Sequence, residues 1–350
     1  MKISKFLLSL FLLCIIVVSC NNDDDAPALP KGDYENGIFI TNEGPFGTGS
    51  GTVTYISNDF STSQNSIYKT VNSEDLGNIL QSLIFNNESV YLIANVSNRL
   101  VKVNRFTFEK EAATIENLNN PRYAAVASGK LFVTNWGDSF DDTDDYVAIF
   151  DAETLVYESS ISVDFGPEKL IVLGNNIYVA HKGGYGYNNK ISVIDITSKA
   201  LTKTIEVGDV PNSLVIDNSN NLWVLCGGKP YYAPEETYGT LEKINTSSYE
   251  VTTSFDFVDS HPSDLSYTNG KLYYQNSGGV YVMETSSSAL PSLSIIADSG
   301  YSVIANDDYI YVTDAKDYAS SGEVRIYNLD SKQLKISIST GIIPGGVYFN

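Results

Sequence analysis

At 350 residues the chain exceeds one average domain, but only 18% of it is charged and 12% is aromatic, with 24 tyrosines, which suits a single large all-β unit. A formal charge of −20 repels phosphate backbones and anionic headgroups, so nucleic acid is excluded as an expected partner. Two histidines and three cysteines give little material for metal chemistry or a disulfide framework.

Lys2 and Lys5 precede the apolar run FLLSLFLLCIIVV, which is too short and wrongly flanked for an ordinary membrane span. The run ends Val17-Val18-Ser19-Cys20 and resembles a bacterial lipobox. That resemblance implies a signal peptide over residues 1–19, diacylglyceryl attachment at Cys20 and a lipid-anchored protein of the outer membrane. Residues 20–35, in which Asn21-Asn22-Asp23-Asp24-Asp25 follows Cys20, are expected as an unstructured tether. The acidic run resembles the surface-export tag of Bacteroidota lipoproteins, which implies exposure to the cell exterior. With Cys14 discarded and Cys20 acylated, Cys226 has no partner and reads as a buried structural thiol.

From residue 36 onward one pattern recurs seven times. Strand-like runs GIFITNE, SVYLIAN, KLFVTNW, NIYVAHK, NLWVLCG, KLYYQNS and YIYVTDA carry central aromatics Phe39, Tyr91, Phe132, Tyr178, Trp223, Tyr273 and Tyr311. Their spacings of 52, 41, 46, 45, 50 and 38 residues are those of propeller blades. Each run is followed by an alternating strand, which sets Val53, Leu100, Val147, Ile191, Leu241, Val280 and Val324 on equivalent faces. Polar third strands are expected at NSIYK, EAATIE, ESSISV, LTKTIEV, TTSFDF, SLSIIA and LKISIST, on the solvated outer edge. Segments such as RYAAVAS, KLIVLGN, SLVIDNS, DLSYTNG and YSVIAND, rich in small and apolar residues, suit innermost strands. The predicted fold is a seven-bladed β-propeller of four-stranded antiparallel blades over residues 36–350. The C-terminal GGVYFN lacks outer strands and the first run lacks an inner one, so Val347, Tyr348 and Phe349 are expected to complete the first blade.

Two sets of connections are expected on one rim. The first is long and aromatic: NEGPFGTGSGT, NWGDSFDDTDDY, HKGGYGYNNK, CGGKPYYAPEETYGT and DAKDYASSGE. They bring Phe46, Trp136, Phe140, Tyr185, Tyr187, Tyr231, Tyr232, Tyr238 and Tyr318 to one face, a layout suited to sugars, planar ring systems or protein surfaces. The second set (NNPRYA, FGPEKL, DVPNSL, SHPSDL and IIPGGV) places a proline before the inner strand, with Arg122, Glu168, Asn212, Ser263 and Gly345 facing the channel mouth. Arg122 and Lys169 are scarce cations that either contact a polar or anionic ligand group or pair with Glu168 or Asp164. His181 and His261 lie on the same predicted rim. The acidic stretch 141–145 lacks the spacing of a calcium loop and reads as solvated. No nucleophile elbow, phosphate-cradling loop, haem motif or other cofactor signature is present in the sequence.

The xPxxL segments and [LI][YFW]V strands resemble the YVTN/YncE-type seven-bladed propellers, and GIFITNEGPFGTGSGTVTYIS resembles the start of a Bacteroidota surface-lipoprotein group built on that fold. The resemblance covers nearly all of the mature chain. Some members of the wider group capture corrinoids and pass them to TonB-dependent transporters, which implies a noncatalytic binding protein for a corrinoid, another planar cofactor or a glycan. No site motif carries over residue by residue. The expectation is therefore a ligand face built from the rim aromatics with Arg122, Lys169, Asn212, His181 and His261. An adhesion or scaffold propeller and a propeller hydrolase or lyase are the alternatives.

Overall fold

The computed structural model of the protein describes residues 30–350. The signal segment, Cys20 and residues 20–29 of the tether lie outside the described residues. Seven antiparallel sheets form the molecule, and the only helix among the described residues is the short Ile67–Asn72. Residues 80–114 form blade two, 121–162 blade three, 167–206 blade four, 211–256 blade five, 263–284 blade six and 302–342 blade seven. Blade one combines both ends of the chain. Pro344–Phe349 is its inner strand and pairs with Gly37–Asn42 through Val347–Ile40 and Tyr348–Phe39. The fold is the expected propeller, closed by its own C-terminus. Asn350 extends the clasp, its N–H donating to the Gly37 carbonyl (2.9 Å) and its Oδ1 accepting from Arg105 (2.6 Å).

The recurring aromatics have one physical job. The buried apolar residues divide into seven clusters, and each cluster fills the gap between two neighbouring blades. Every central aromatic is buried in the gap toward the following blade, from Phe39 against blade two to Tyr311 against blade one. A strand in mid-blade faces a gap on each side, so both of its faces are apolar and the sequence reads IFI or LFV, without a polar alternation. Val53, Leu100, Val147, Ile191, Leu241, Val280 and Val324 are likewise buried.

Two third strands depart from expectation. In blade one, residues 65–69 do not form a strand; only Ser63–Gln64 pairs, and the short helix Ile67–Asn72 follows. The helical turn buries the consecutive Ile67 and Tyr68 together in the gap to blade two, which an extended chain would send to opposite faces. In blade six, residues 292–297 make only one bridge, Ile296 to Val280, so that sheet has three strands. The segment crosses close over Gly279, whose missing Cβ would lie 2.6 Å from the Ser294 Cβ. The tether also ends earlier than position 35. Tyr34 is buried against Phe108 and Tyr55, and its N–H donates to the Phe106 carbonyl (2.9 Å).

Candidate functional site

The two sets of connections are joined to each other by a repeated backbone contact. The residue before the inner strand takes a positive φ, in the left-handed region that favours glycine or asparagine, at Ile79, Asn120, Gly166, Val210 and Ile343, with values of 57°, 52°, 65°, 59° and 55°. Its carbonyl accepts the N–H of a residue just past the aromatic strand: Asn95, Trp136, Gly183, Gly227 and Glu43, respectively. Ile79, Val210 and Ile343 are β-branched, so these turns hold strain that the surrounding hydrogen bonds maintain. The consequence is positional. Each long loop starts beside the head of an inner strand, so loop aromatics and inner-strand polar groups share one rim.

At that rim a cavity of about 810 Å³ runs down the axis. Arg122, Glu168, Asn212, Ser263 and Gly345 all line it, one from each of five blades. Arg122 makes a two-pronged contact with Glu168, Nε to Oε2 at 2.9 Å and Nη2 to Oε1 at 2.8 Å. Burial alone would raise the Glu168 carboxyl, but Arg122, helped by Lys182 and Lys169, holds the group below the usual range. The guanidinium also lies 3.9 Å over the Trp136 ring, whose Nε1 donates to the Pro167 carbonyl (2.9 Å). Trp136 is therefore a buried platform, only 6% exposed, although it borders the cavity. Lys169 lines the wall beside Tyr123 (6.0 Å to the ring) and has no ion pair among the described residues; Asp164 is taken by Lys190 (2.6 Å).

The rim aromatics separate into three groups. Phe46 (73% exposed) and Tyr185 line the mouth with Trp136, and Tyr185 packs edge-on to Trp136 at 5.9 Å. Phe140 (82% exposed) leans on Tyr185 from outside, and Tyr318 leans on the cavity-lining Tyr301. Tyr231, Tyr232 and Tyr238 stand on the long blade-five loop, outside the cavity, as does the half-buried Tyr187 of blade four.

The histidines do not meet. His181 is fully buried, which corrects its expected position on the open rim. It is the last residue of its strand, and its side chain turns into the sheet, with Nε2 2.8 Å from Ser192 Oγ and Nδ1 unpartnered. Burial pushes its pKa down to about 4, so it is neutral at physiological pH. His261 remains on the rim away from the cavity lining, its Nδ1 donating to the Gly227 carbonyl (2.8 Å) and its Nε2 3.2 Å from Glu236 Oε1. Cys226 is buried, and burial pushes its thiol pKa up. In the acidic loop, Asp141 accepts from Thr143 and Asp144 from the Asp138 N–H. Among the described residues no group of three or more His, Cys, Asp or Glu is arranged to hold a metal ion.

Several lining residues carried no signal that distinguished them in the sequence. Tyr123, Ser213, Asp264 and Gly346 sit one step beyond the first ring of inner-strand residues, and Gln81 and Tyr348 join them. Lys182 and Glu43 come from loop starts. The proline pattern would have located the second ring had it been read two residues onward.

Residues 36–337 match the family described as "Domain of unknown function (DUF5074)". The chain belongs to the DUF5074 family. Among curated proteins no relative matches this DUF5074 chain. Its fold is similar to that of a solved "quinonprotein alcohol dehydrogenase-like protein" from Bacteroides thetaiotaomicron VPI-5482 (14% identity, 90% of this chain and 78% of that one, TM-score 0.65). It is also similar to the computationally designed Ika8 protein (11%, 89% and 93%, 0.58) and to dihydro-heme d1 dehydrogenase NirN (11%, 92% and 77%, 0.57). At such identities the likeness concerns the fold alone.

Proposed function

We propose that this DUF5074 protein is a noncatalytic, lipid-anchored binding protein of the outer-membrane surface, which captures a small nutrient on its loop face and hands it to a TonB-dependent transporter. The observation that carries the binding half is the axial cavity of about 810 Å³, bordered by Phe46, Trp136 and Tyr185 and walled by fixed polar groups. Binding sites are typically preformed concavities of a few hundred to a thousand Å³ with few, well-placed polar groups. The lipobox-like Val17-Val18-Ser19-Cys20, the acidic run behind it and the resemblance to Bacteroidota surface propellers support the anchored, transporter-linked half. The ligand classes consistent with this reading are a corrinoid, another planar cofactor or a glycan.

A thermal-shift screen of corrinoids, porphyrins and oligosaccharides tests the reading. The expected result is stabilisation by one class that is lost on Phe46→Ala or Tyr185→Ala, both exposed side chains whose removal leaves the blades intact. No stabilisation by any class would remove the reading. Anchoring is checked separately: Cys20→Ser is expected to release the protein from the membrane fraction.

A second reading has its own observation. Tyr231 and Tyr232 are 80% and 73% exposed and stand away from the cavity, which favours a protein partner on the blade-five side. Loss of a co-purifying transporter in Tyr231→Ala/Tyr232→Ala, with small-ligand binding unchanged, would assign that loop to docking.

A further inference from the structure

We infer that the axial cavity takes an anionic sugar: a hydroxylated ring whose carboxylate or phosphate is held by Lys169 and Lys182. This deepens the capture reading above and rests on it. The chain carries a net charge of −20, and most of its described cations are spent in ion pairs. Lys169 and Lys182 have no ion pair among the described residues, and both line the cavity from blade four. Arg122, the obvious anion contact, is consumed: its Nε and Nη2 are both bonded to Glu168 and its face is covered by Trp136. Lys169, Lys182 and Arg122 all act on Glu168, and Glu43 also feels Arg122 and Lys182, so the lining sets three cations against three carboxylates, with only Arg122 among the cations bonded to one of them.

The lining also carries acceptors. Asp264 of blade six accepts from Ser302 (3.2 Å) through Oδ1 and from Ser263 (3.0 Å) and Gln275 (2.6 Å) through Oδ2. Glu43 accepts from Tyr301 at 2.7 Å through Oε1 alone. A carboxylate has about four lone-pair sites, so Asp264 and Glu43 both retain capacity for further donors. Asp264 also holds a left-handed φ of 59°, the kind of strained non-glycine backbone that clusters at binding sites. Unpaired cations and fixed acceptors on the same wall fit a molecule with an anionic end and several hydroxyl donors. Phe46 and Tyr185 at the mouth offer ring faces for the sugar's apolar side. A neutral planar ligand would leave the two lysines without a partner.

Titration calorimetry on the full-length chain tests this with trigalacturonate, glucose 6-phosphate and neutral galactotriose. The expected result is that an anionic probe binds at least about tenfold tighter than galactotriose, the size of one charge-assisted hydrogen bond, and weakens with added salt. Binding of trigalacturonate alone makes the carboxylate the recognised group, and binding of glucose 6-phosphate alone the phosphate. Lys169→Gln/Lys182→Gln should abolish the preference. Each single variant should reduce it, which keeps the test open if the double variant folds poorly. Lys203→Gln, an equal change of charge at an exposed outer-strand lysine without an ion pair, should leave it intact. Equal affinity for galactotriose, or unchanged binding in the lysine variants, would overturn the inference. Tight binding of a neutral planar compound through Phe46 and Tyr185 alone would overturn it while leaving the capture reading standing. If no compound of either panel binds, both fall.

Discussion

The gaps between blades and the loop face are made by the same strands, yet they follow opposite rules. All seven gaps repeat one solution: a central aromatic of one blade packed against the β-branched and leucine side chains of the next. The loop face repeats almost nothing beyond its backbone contacts. Blade four contributes two free lysines, blade five an exposed tyrosine loop, and blade six the minimal turn at Ser277 and Gly278. A ring of stacked sheets is constrained wherever neighbours touch and unconstrained where its loops meet water, so variation collects on the face.

The largest expected effect tests whether closure belongs to the gap rule. Deleting residues 345–350 removes Val347 from the blade-one gap and the Asn350 clasp. Calorimetry should show loss of several kcal/mol, and a fall in Tm of about 10 °C or more. Trp223→Ala, in the gap between blades five and six, should cost about 3–5 kcal/mol in denaturant titrations and leave ligand binding unchanged. Altered binding there would break the separation of gap from face.

Arg122→Ala joins the two regions. It strands the buried Glu168 carboxylate and should cost about 3–5 kcal/mol, whereas Arg122→Met/Glu168→Leu should cost much less. A double-mutant cycle measures the difference.

The pH dependence gives a smaller effect. Asp145 is buried at the base of the blade-three loop, where Oδ1 accepts from the Gly166 N–H (3.0 Å) and Oδ2 has no partner. Burial pushes its pKa up to about 7, so its contribution to stability is fully present below the ordinary carboxylate range and is lost as pH rises through 7. His181, held near 4, behaves oppositely: its contribution is present above about 6.5 and is lost as pH falls through 4. The two oppose each other between about pH 4 and 6.5. Asp145→Asn should gain on the order of 1–2 kcal/mol over the natural chain at pH 8 and sharpen its loss of stability in acid, as read by melting across pH. The smallest effect expected is that of Tyr231→Ala, within about 0.5 kcal/mol for stability.

The blade count, the strand order and the closing strand were legible because gap packing imposes one demand seven times. Two outer strands were misread for a related reason. NSIYK and SLSIIA carry strand-like composition, but each sends two consecutive apolar residues, Ile67 and Tyr68 or Ile295 and Ile296, into the gap to the next blade, where a regular strand would send them to opposite faces. Tyr34 gives no signal in the sequence, because a single aromatic before the first repeat has no periodic partner.

The site was legible in part. The prolines located Arg122, Glu168, Asn212, Ser263 and Gly345 at the cavity, and the loops located Phe46 and Tyr185. His181 was placed on the open rim because it ends a strand just before a loop; which way that final side chain turns depends on the neighbouring strand, where Ser192 receives it.

The linear order of residues thus determined the repeat, the ring and the rim on which chemistry would gather, because hydrophobic periodicity and turn residues act over a few neighbours. Only the tertiary structure decided which charges are spent and which are free. Arg122 and Glu168 are 46 positions apart and their partnership arises from the meeting of two blades, which also leaves Lys169 and Lys182 near Glu168 but without a direct ion pair among the described residues. Pairing of charges is set by distance in space, and distance in space is fixed only after the sheets have packed.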